Sequence, residues 1–199
     1  MVFYYEKLSI IPSEIYMIFT RTHKKIFYLT GLLSILFGAS YYLFSAQEGI
    51  YDYNPTTDRA FILDLFKTNW YWLVSEHSVD FSAEYALDNR ASSQGETYKN
   101  NLTIKVYRVH NKPVGFVAYY KKTFYKGYIL FLAIDETQRA QGYGKKLLEY
   151  ALDGLKKQGS MVAELITRTN NLKAQSLYKK LGFQEFWRNE GFVRFEKIL

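Results

Sequence analysis

The 199-residue chain contains no cysteine, so disulfide bonds, thiolate metal ligands and a cysteine nucleophile are all excluded. Its three histidines, His23, His77 and His110, lie far apart in the sequence, and no metal site is expected. The net charge is +7, yet no more than two basic residues are consecutive. A nucleic-acid-binding protein usually carries a denser basic stripe, so we predict no nucleic-acid partner. The positive charge suits a phosphorylated cofactor or an acidic membrane surface.

Charge is absent from residues 26–47, which read IFYLTGLLSILFGASYYLFSAQ. As a helix this segment would be about 33 Å long, close to the thickness of the hydrocarbon core of a bilayer. Tyrosines lie near both ends, where membrane spans often place aromatic side chains. The segment therefore predicts a single-pass transmembrane helix after an N-terminal segment of residues 1–25. An unusually apolar core helix and a cleaved signal sequence starting at Met17 are the alternatives.

Residues 50–199 alternate between strand and helix patterns. The stretches LTIKVYRVH and VGFVAYYKK, joined by NKP, predict an antiparallel pair of strands. Further strands are predicted at YILFLAID, MVAELIT, FQEFWR and FVRFEKI. After a glycine stretch, one apolar helical face is predicted. It comprises Tyr143, Leu147, Leu148, Ala151, Leu152 and Leu155.

The glycine stretch RAQGYG, Arg139–Gly144, stands between a predicted strand and a predicted helix. The first amides of a helix have no backbone acceptor and carry about half a positive charge, which together favour an anion. Glycine lets the backbone approach a ligand closely. The ending GK[ST] of a P-loop is absent. The stretch favours a pyrophosphate site, and a plain strand-to-helix turn is the alternative.

A second motif, NLKAQSLYKKLGF, follows about 27 residues later. Helical periodicity puts Asn171, Ala174 and Tyr178 along one side of a helix that Gly182 ends. Without further context, Asn171 reads as a helix cap and Tyr178 as a core aromatic residue.

The two motifs, R-x-x-G-x-G and N-x-x-A-x-x-x-Y-x-x-x-G-F, in this order and at this spacing, resemble those of the GCN5-related N-acetyltransferases (GNAT). The resemblance covers residues 50–199 and does not extend to residues 1–49. It implies an α/β (α+β) fold with a mixed, mostly antiparallel sheet flanked by helices. It also implies an enzyme that transfers an acetyl group from acetyl-CoA to a primary amine, by direct attack on the thioester. The amine would belong to a protein N-terminus or to a small molecule.

The resemblance assigns roles to individual residues. The backbone of Leu132, Ala133 and Ile134 would bind the pantetheine arm, and a backbone N–H near Ile134 would hold the oxyanion. Asn171 would contact the cofactor arm, and Tyr178 would act as general acid near the sulfur. The backbone amides holding the pyrophosphate would be those of Arg139, Ala140, Gln141, Gly142, Tyr143 and Gly144.

The general base departs from the family pattern, because its usual glutamate position is occupied by Ile166. Glu164, two residues earlier on the same strand face, is the candidate base, and the alternative is that no carboxylate base exists. An α-amine with a pKa near 8 is far more often neutral at pH 7.4 than a lysine with a pKa near 10.4. Without a dedicated base, we therefore expect an acceptor amine of low pKa.

Polar and aromatic residues gather in KTNWYWLVSEHSVDF, before the predicted hairpin. The simpler interpretation of this stretch is that its aromatic residues belong to the core and its polar residues to helix ends. The alternative is that the stretch forms one wall of the active site and selects the acceptor amine. The residues concerned are Trp70, Tyr71, Trp72, Glu76, His77 and Asp80.

Two other functions stay open at this point: a membrane-anchored CoA-binding module without turnover, and transfer of a longer acyl group. The basic residues Arg21, Lys24 and Lys25 precede the predicted span and favour an N-terminus in the cytoplasm, with the larger domain outside. Acetyl-CoA is made in the cytoplasm, and we therefore expect the catalytic domain there. The sequence gives no indication of an oligomeric state.

Overall fold

The computed structural model describes residues 48–74, 81–88 and 102–199. The strands are β1 (Gly49–Asp52), β2 (Thr103–Val109), β3 (Lys112–Lys121), β4 (Lys126–Ile134), β5 (Val162–Arg168), β6 (Gln184–Arg188) and β7 (Phe192–Ile198). The α-helices are α1 (Pro55–Thr68), α2 (Trp70–Leu73), α3 (Ala83–Leu87), α4 (Tyr143–Lys157) and α5 (Leu172–Lys180), and a short 3-10 helix spans Glu136–Gln138.

The strands form one seven-stranded sheet in the order β1-β2-β3-β4-β5-β7-β6. Every neighbouring pair is antiparallel except β4 and β5, which are parallel. The predicted hairpin is confirmed as β2 and β3. Its turn residues His110 and Asn111 have φ angles of 50° and 60°, as a tight two-residue turn between twisted strands requires.

The central strands β4 and β5 separate soon after they meet. Among the described residues, only three cross-strand pairs join them: Lys126 with Val162, Gly127 with Ala163, and Tyr128 with Glu164. On the other side of β4, the register with β3 shifts, because Tyr119 pairs with Ile129 and Ala118 with Phe131. The extra residue, Leu130, is a bulge that bends β4. A gap therefore opens between the C-terminal halves of the two parallel strands.

Two hydrophobic clusters cover the two faces of the sheet. On one face, α4 buries its predicted apolar positions, including the fully enclosed Leu147, Leu148 and Leu155. On the other face, α1 packs Ile62 and Phe66 against the sheet. Burying apolar side chains on both faces is the main stabilising contribution to such a layered fold.

The predicted N-terminal segment, residues 1–25, and the predicted membrane span, residues 26–47, both lie outside the described residues. Among the helices of the described part, none combines the length and the apolarity needed to cross a bilayer.

Candidate active site

The gap between β4 and β5 is a cleft of about 1070 Å³. Its walls are the second half of β4, the loop before α4, the end of β5 and the first turns of α5. The volume is at the upper end of the range for small-molecule sites. The cleft therefore has room for an extended ligand.

The loop into α4 presents a row of backbone amides at one end of the cleft. Among the described residues, no acceptor is found for the backbone N–H groups of residues 140–145. Ala140 and Gly142 have positive φ angles of 65° and 86°. Such alternating backbone conformations turn successive N–H groups toward one point, and the helix dipole adds positive potential there. This end of the cleft, the candidate anion site, is therefore suited to a negatively charged ligand.

Gly144 follows in the first turn of α4. A Cβ atom there would lie 3.6 Å from Cγ1 of Ile134 and 3.8 Å from Cδ2 of Leu177, both ordinary contacts. Both neighbours line the cleft. The missing side chain therefore leaves the cleft wider without being required by the packing of the protein itself.

The side chain of Arg139 turns away from the anion site. Its Nε donates to the carbonyl of Ile134 at 3.2 Å, and one terminal nitrogen donates to Oδ1 of Asn69 at 2.7 Å. Gln141 accepts from the hydroxyl of Tyr143 and is not among the residues that line the cleft. Within this loop, protein acceptors engage the guanidinium of Arg139, whereas the backbone N–H groups of residues 140–145 are left for a ligand.

Leu132, Ala133 and Ile134 form the edge of β4 along the cleft. Their partners on β3 are Val117, Phe116 and Gly115. Because β5 has already diverged, no strand of the described part of the chain lies beside the backbone groups on the other edge of β4. Such an edge can pair with an extended ligand as it would with a strand.

Asn171 caps the start of α5, and Tyr178 lies further along the same helix. Tyr178 is buried at the cleft, and burial raises the pKa of Tyr178 to about 12, while the neighbouring Thr167 hydroxyl opposes part of this rise. Asn171 caps α5 by accepting from the backbone N–H of Ala174, and it donates to the hydroxyl of Thr167 at 3.2 Å. Asn171 is thus the helix cap that the sequence suggested, and it also lines the cleft.

Residues 59–183 match the acetyltransferase (GNAT) family. The chain belongs to this family.

Two curated relatives are N-acetyltransferases. The ribosomal protein bS18-alanine N-acetyltransferase of Escherichia coli K12 is 31% identical over 123 residues, which cover 56% of this chain and 79% of that protein. N-alpha-acetyltransferase 30 of Schizosaccharomyces pombe is 38% identical over 69 residues, covering 35% of this chain and 46% of that protein. The chain is an acyltransferase of the N-acetyltransferase type.

The fold matches solved structures as well. The PaiA N-acetyltransferase of Thermoplasma acidophilum, solved in complex with coenzyme A, superposes with a TM-score of 0.62 at 21% identity, covering 76% of this chain and 99% of that one. The sheet and flanking helices predicted for this acetyltransferase are confirmed.

The acetyltransferase does not bring Glu164 to its cleft. Glu164 is paired with Lys126 and lies 3.8 Å from Lys122. It sits opposite Tyr128, where β4 and β5 are still joined, and it is not among the lining residues. Ile166, one step further along the same face, lines the cleft and is 37% exposed.

Acidic groups are not found among the described residues lining the cleft of this acetyltransferase. The charged lining residues are Arg139, Lys145, Arg168 and Lys173. The cleft wall formed by the described residues is therefore positive, which favours an anionic ligand and disfavours a protonated amine.

The aromatic residues of α2 are not core residues. Trp70, Tyr71 and Trp72 are all exposed, and Trp72 is the one of these three that lines the cleft. The core interpretation therefore fails for these three residues, and Trp72 is placed where an acceptor could meet it. Glu76, His77 and Asp80 lie outside the described residues.

Sequence reasoning missed Thr167, Arg168 and Asn69. Arg168 is only 6% exposed, although it is charged. Arg168 ends a largely apolar strand three positions before the motif residue Asn171, and this placement is the signal that could have identified it. Asn69 gave no such signal, because its partner Arg139 is 70 positions away.

Proposed function

We propose that the cleft binds acetyl-CoA and that the enzyme transfers the acetyl group to a primary amine of low pKa, such as the α-amine of a protein N-terminus. The observation that carries the proposal is the row of amides of residues 140–145 without a protein acceptor, placed beside the free edge of β4. The names of the two relatives, which refer to an alanine and to N-alpha acetylation, support an α-amine.

The residues present fit a nucleotide diphosphate at the anion site. The amides of residues 140–145 supply donors, and the glycine at position 142 permits its positive φ. Lys145 lines the cleft beside these donors. Charge-assisted hydrogen bonds from backbone N–H groups to phosphate oxygens are stronger than those between neutral groups.

The pantetheine arm fits the free edge of β4. Its amides would pair with the backbone of Leu132, Ala133 and Ile134 in the manner of an added strand. Asn171, whose amide lines the other side of the cleft, would contact the same arm. The thioester would then lie between the two strands, near Tyr178.

In the reaction, the amine nitrogen forms a bond to the thioester carbonyl carbon. The C–S bond then breaks, sulfur leaves with the electron pair, and the nitrogen loses a proton to solvent. A backbone N–H near Ile134 would stabilise the oxyanion, a contribution of about 10²–10³ in rate for such donors. The phenol of Tyr178 would donate a hydrogen bond to the departing sulfur, and the released thiolate would take its proton from solvent.

Tyr178 would be a modest general acid. A thiol has a pKa near 8.5 and leaves as a thiolate without a strong acid, whereas the pKa of Tyr178 is raised to about 12. The phenol would therefore stabilise the developing negative charge on sulfur by hydrogen bonding. We assign it about 10² in rate, at the low end for acid–base catalysis.

The acceptor amine would have to arrive neutral. The positive side chains around the cleft disfavour an ammonium group, and Ile166 offers no proton acceptor. At pH 7.4 about a fifth of an α-amine of pKa 8 is neutral, against about 0.1% of a lysine of pKa 10.4. We therefore propose selectivity for α-amines and other weakly basic amines.

A matched pair of peptides tests this function. One has a free N-terminal alanine and no lysine, and the other has a blocked N-terminus and one lysine. With acetyl-CoA at pH 7.4, thiol release and product mass should show acetylation of the α-amine at least tenfold faster, and the gap should narrow toward pH 10. Faster acetylation of the lysine peptide at neutral pH, or no thiol release with any amine, would contradict the proposal.

We also propose that residues 26–47 anchor the enzyme in a membrane with the catalytic domain in the cytoplasm. The support is the uncharged length of the segment and the cytoplasmic origin of acetyl-CoA. Protease treatment of intact cells should leave the catalytic domain uncut. Its digestion from outside would contradict this orientation.

A further inference from the structure

The short helix α2 is held at both ends by arginine side chains that come from the opposite side of the cleft. We propose that Arg139 and Arg168 are positioning residues that fix α2 as the wall for the acceptor amine. This inference depends on the proposed function, because it assigns the acceptor to the side of the cleft that Trp72 lines.

Packing holds α2 only in part. None of its four residues is buried, although Leu73 packs against the second hydrophobic cluster and the ring of Trp70 lies 5.8 Å from that of Phe81. Its own backbone contributes little order, because the helix is a single turn, with the N–H of Val74 bonded to the carbonyl of Trp70. Polar contacts with the rest of the protein therefore contribute to the position of this wall.

Arg139 holds the N-terminal end of α2 through Asn69. Asn69 is buried, and its side-chain amide donates to the carbonyl of Leu65 and to the hydroxyl of Thr68. These two bonds turn Oδ1 toward Arg139, which donates to it at 2.7 Å. Arg139 also donates to the carbonyl of Ile134 at the end of β4. The guanidinium group thus joins the central strand to the start of α2.

Arg168 holds the C-terminal end. Its Nε donates to the carbonyl of Tyr71, and a terminal nitrogen donates to the carbonyl of Val74 at 3.2 Å. The guanidinium lies 3.9 Å from the ring centroid of Tyr71 and 5.1 Å from that of Phe192. Buried cation–π contacts of this kind are among the stronger ones.

Both arginines stand directly beside residues that face the cofactor side. Arg139 precedes the amides of residues 140–145, and Arg168 follows Thr167, which accepts a hydrogen bond from Asn171 and lines the cleft. In the loop before α4, the backbone amides of residues 140–145 would therefore bind the diphosphate, while the side chain of Arg139 would position α2. Arg139 would then make no direct side-chain contact with the diphosphate.

The test replaces Arg139 by glutamine and measures both substrates. In Arg139→Gln we expect the KM of the peptide α-amine to rise at least tenfold, while the Kd of coenzyme A measured by calorimetry stays within threefold of the wild type. Arg139→Lys, which can still donate one hydrogen bond to Asn69, should recover part of the loss. Arg59→Gln is the matched control, because Arg59 bridges α1 and α3 through Asp88 at 2.7 Å and does not line the cleft.

A double-mutant cycle separates positioning from general destabilisation. If Arg139 acts through Asn69, Arg139→Gln should raise the acceptor KM no further in a protein that already carries Asn69→Ala, so the double variant should match Asn69→Ala alone. Additive effects, an acceptor KM within threefold of the wild type in Arg139→Gln, or a coenzyme A Kd weakened tenfold or more would overturn the proposal. A wild-type protein that binds no coenzyme A would instead overturn the proposed function. Arg168→Gln removes bonds from two buried carbonyl groups, so the test rests on Arg139.

Discussion

Burial of the Tyr178 phenol raises its pKa to about 12, and the neighbouring hydroxyl of Thr167 opposes this rise. Thr167 itself accepts a hydrogen bond from the side-chain amide of Asn171 at 3.2 Å. A neighbour that lowers the pKa of a phenol favours the charged phenolate, as a donor to its oxygen does. Such a neighbour leaves the phenolic proton for a group in the cleft.

Replacing Tyr178 by phenylalanine should therefore lower kcat about 100-fold with little effect on cofactor binding. The ring keeps its packing against Phe183 and Phe195, and only the hydroxyl is lost. Steady-state kinetics and calorimetry with coenzyme A measure the two effects. Tyr119→Phe is the control, since Tyr119 is also buried but does not line the cleft. An equal loss of kcat in both variants would mean that the hydroxyl of Tyr178 has no specific role in the reaction.

Alkaline pH should lower the free energy of unfolding through the ionisation of Tyr178. The pKa of Tyr178 is raised to about 12, whereas a tyrosine in the unfolded chain titrates near 10. The stabilising effect is fully present below pH 10. Between pH 10 and 12 the unfolded chain releases the proton while the native state keeps it. The free energy of unfolding should then fall by up to about 1.4 kcal/mol per pH unit from this residue.

Urea unfolding of the wild type and of Tyr178→Phe at pH 9, 10 and 11 measures this contribution. Burial also raises the pKa of Tyr119, so the wild type has more than one source of alkaline destabilisation. The difference between the two proteins isolates Tyr178. Parallel curves would mean that its phenol is not protonated preferentially in the native state.

Gly144→Ala should weaken coenzyme A binding at least tenfold without unfolding the protein. The added methyl group makes only ordinary contacts with Ile134 and Leu177, but it points into the cleft beside the anion site. Alanine also favours the helix over glycine. Calorimetry and thermal unfolding check the two parts. Gly191→Ala, whose nearest neighbour would be Oδ1 of Asn189 at 3.9 Å, is the matched control and should leave the Kd unchanged.

Ile166→Glu should supply the base that the described cleft lining lacks. Arg194 lies opposite position 166 on β7, so the new carboxylate should be ionised at neutral pH. We expect kcat/KM for the lysine peptide at pH 7.4 to rise at least tenfold over that of Ile166→Gln, which has the same size as the glutamate variant but no charge. Equal rates for the two variants would indicate that this position cannot reach the amine.

Glu164→Gln should affect stability rather than catalysis. Glu164 is 8% exposed and paired with Lys126, so we expect a loss of about 1–2 kcal/mol in the free energy of unfolding. The value of kcat/KM should stay within about threefold of the wild type. A hundredfold loss of activity in a folded variant would return Glu164 to the role of base.

Much of the fold could be predicted from local patterns. The apolar face of α4 repeats with helical period, and the hairpin of β2 and β3 is marked by two alternating stretches around a short turn. The anion site could be predicted for the same reason, since Gly142 and the start of α4 are adjacent in the sequence. Asn171 and Tyr178 follow from helical spacing on α5.

The position of Glu164 could not be predicted in this way. Glu164 and Ile166 share a strand face and differ by two positions, but the parallel strands stop pairing between them. That divergence depends on the bulge at Leu130 in β4, which no pattern within β5 reveals. The sequence therefore predicted a carboxylate in the cleft, whereas Glu164 forms an ion pair with Lys126 and does not line the cleft.

The sequence alone determined which residues can bind an anion, cap α5 and bury a phenol, because each of those properties depends on neighbours within one or two helical turns. The tertiary structure decided which groups share the cleft. It placed Arg139 against Asn69, 70 positions away, and Arg168 against Tyr71, 97 positions away. Contacts between residues so far apart depend on how strands order and diverge in the sheet, and short-range periodicity carries no information about that.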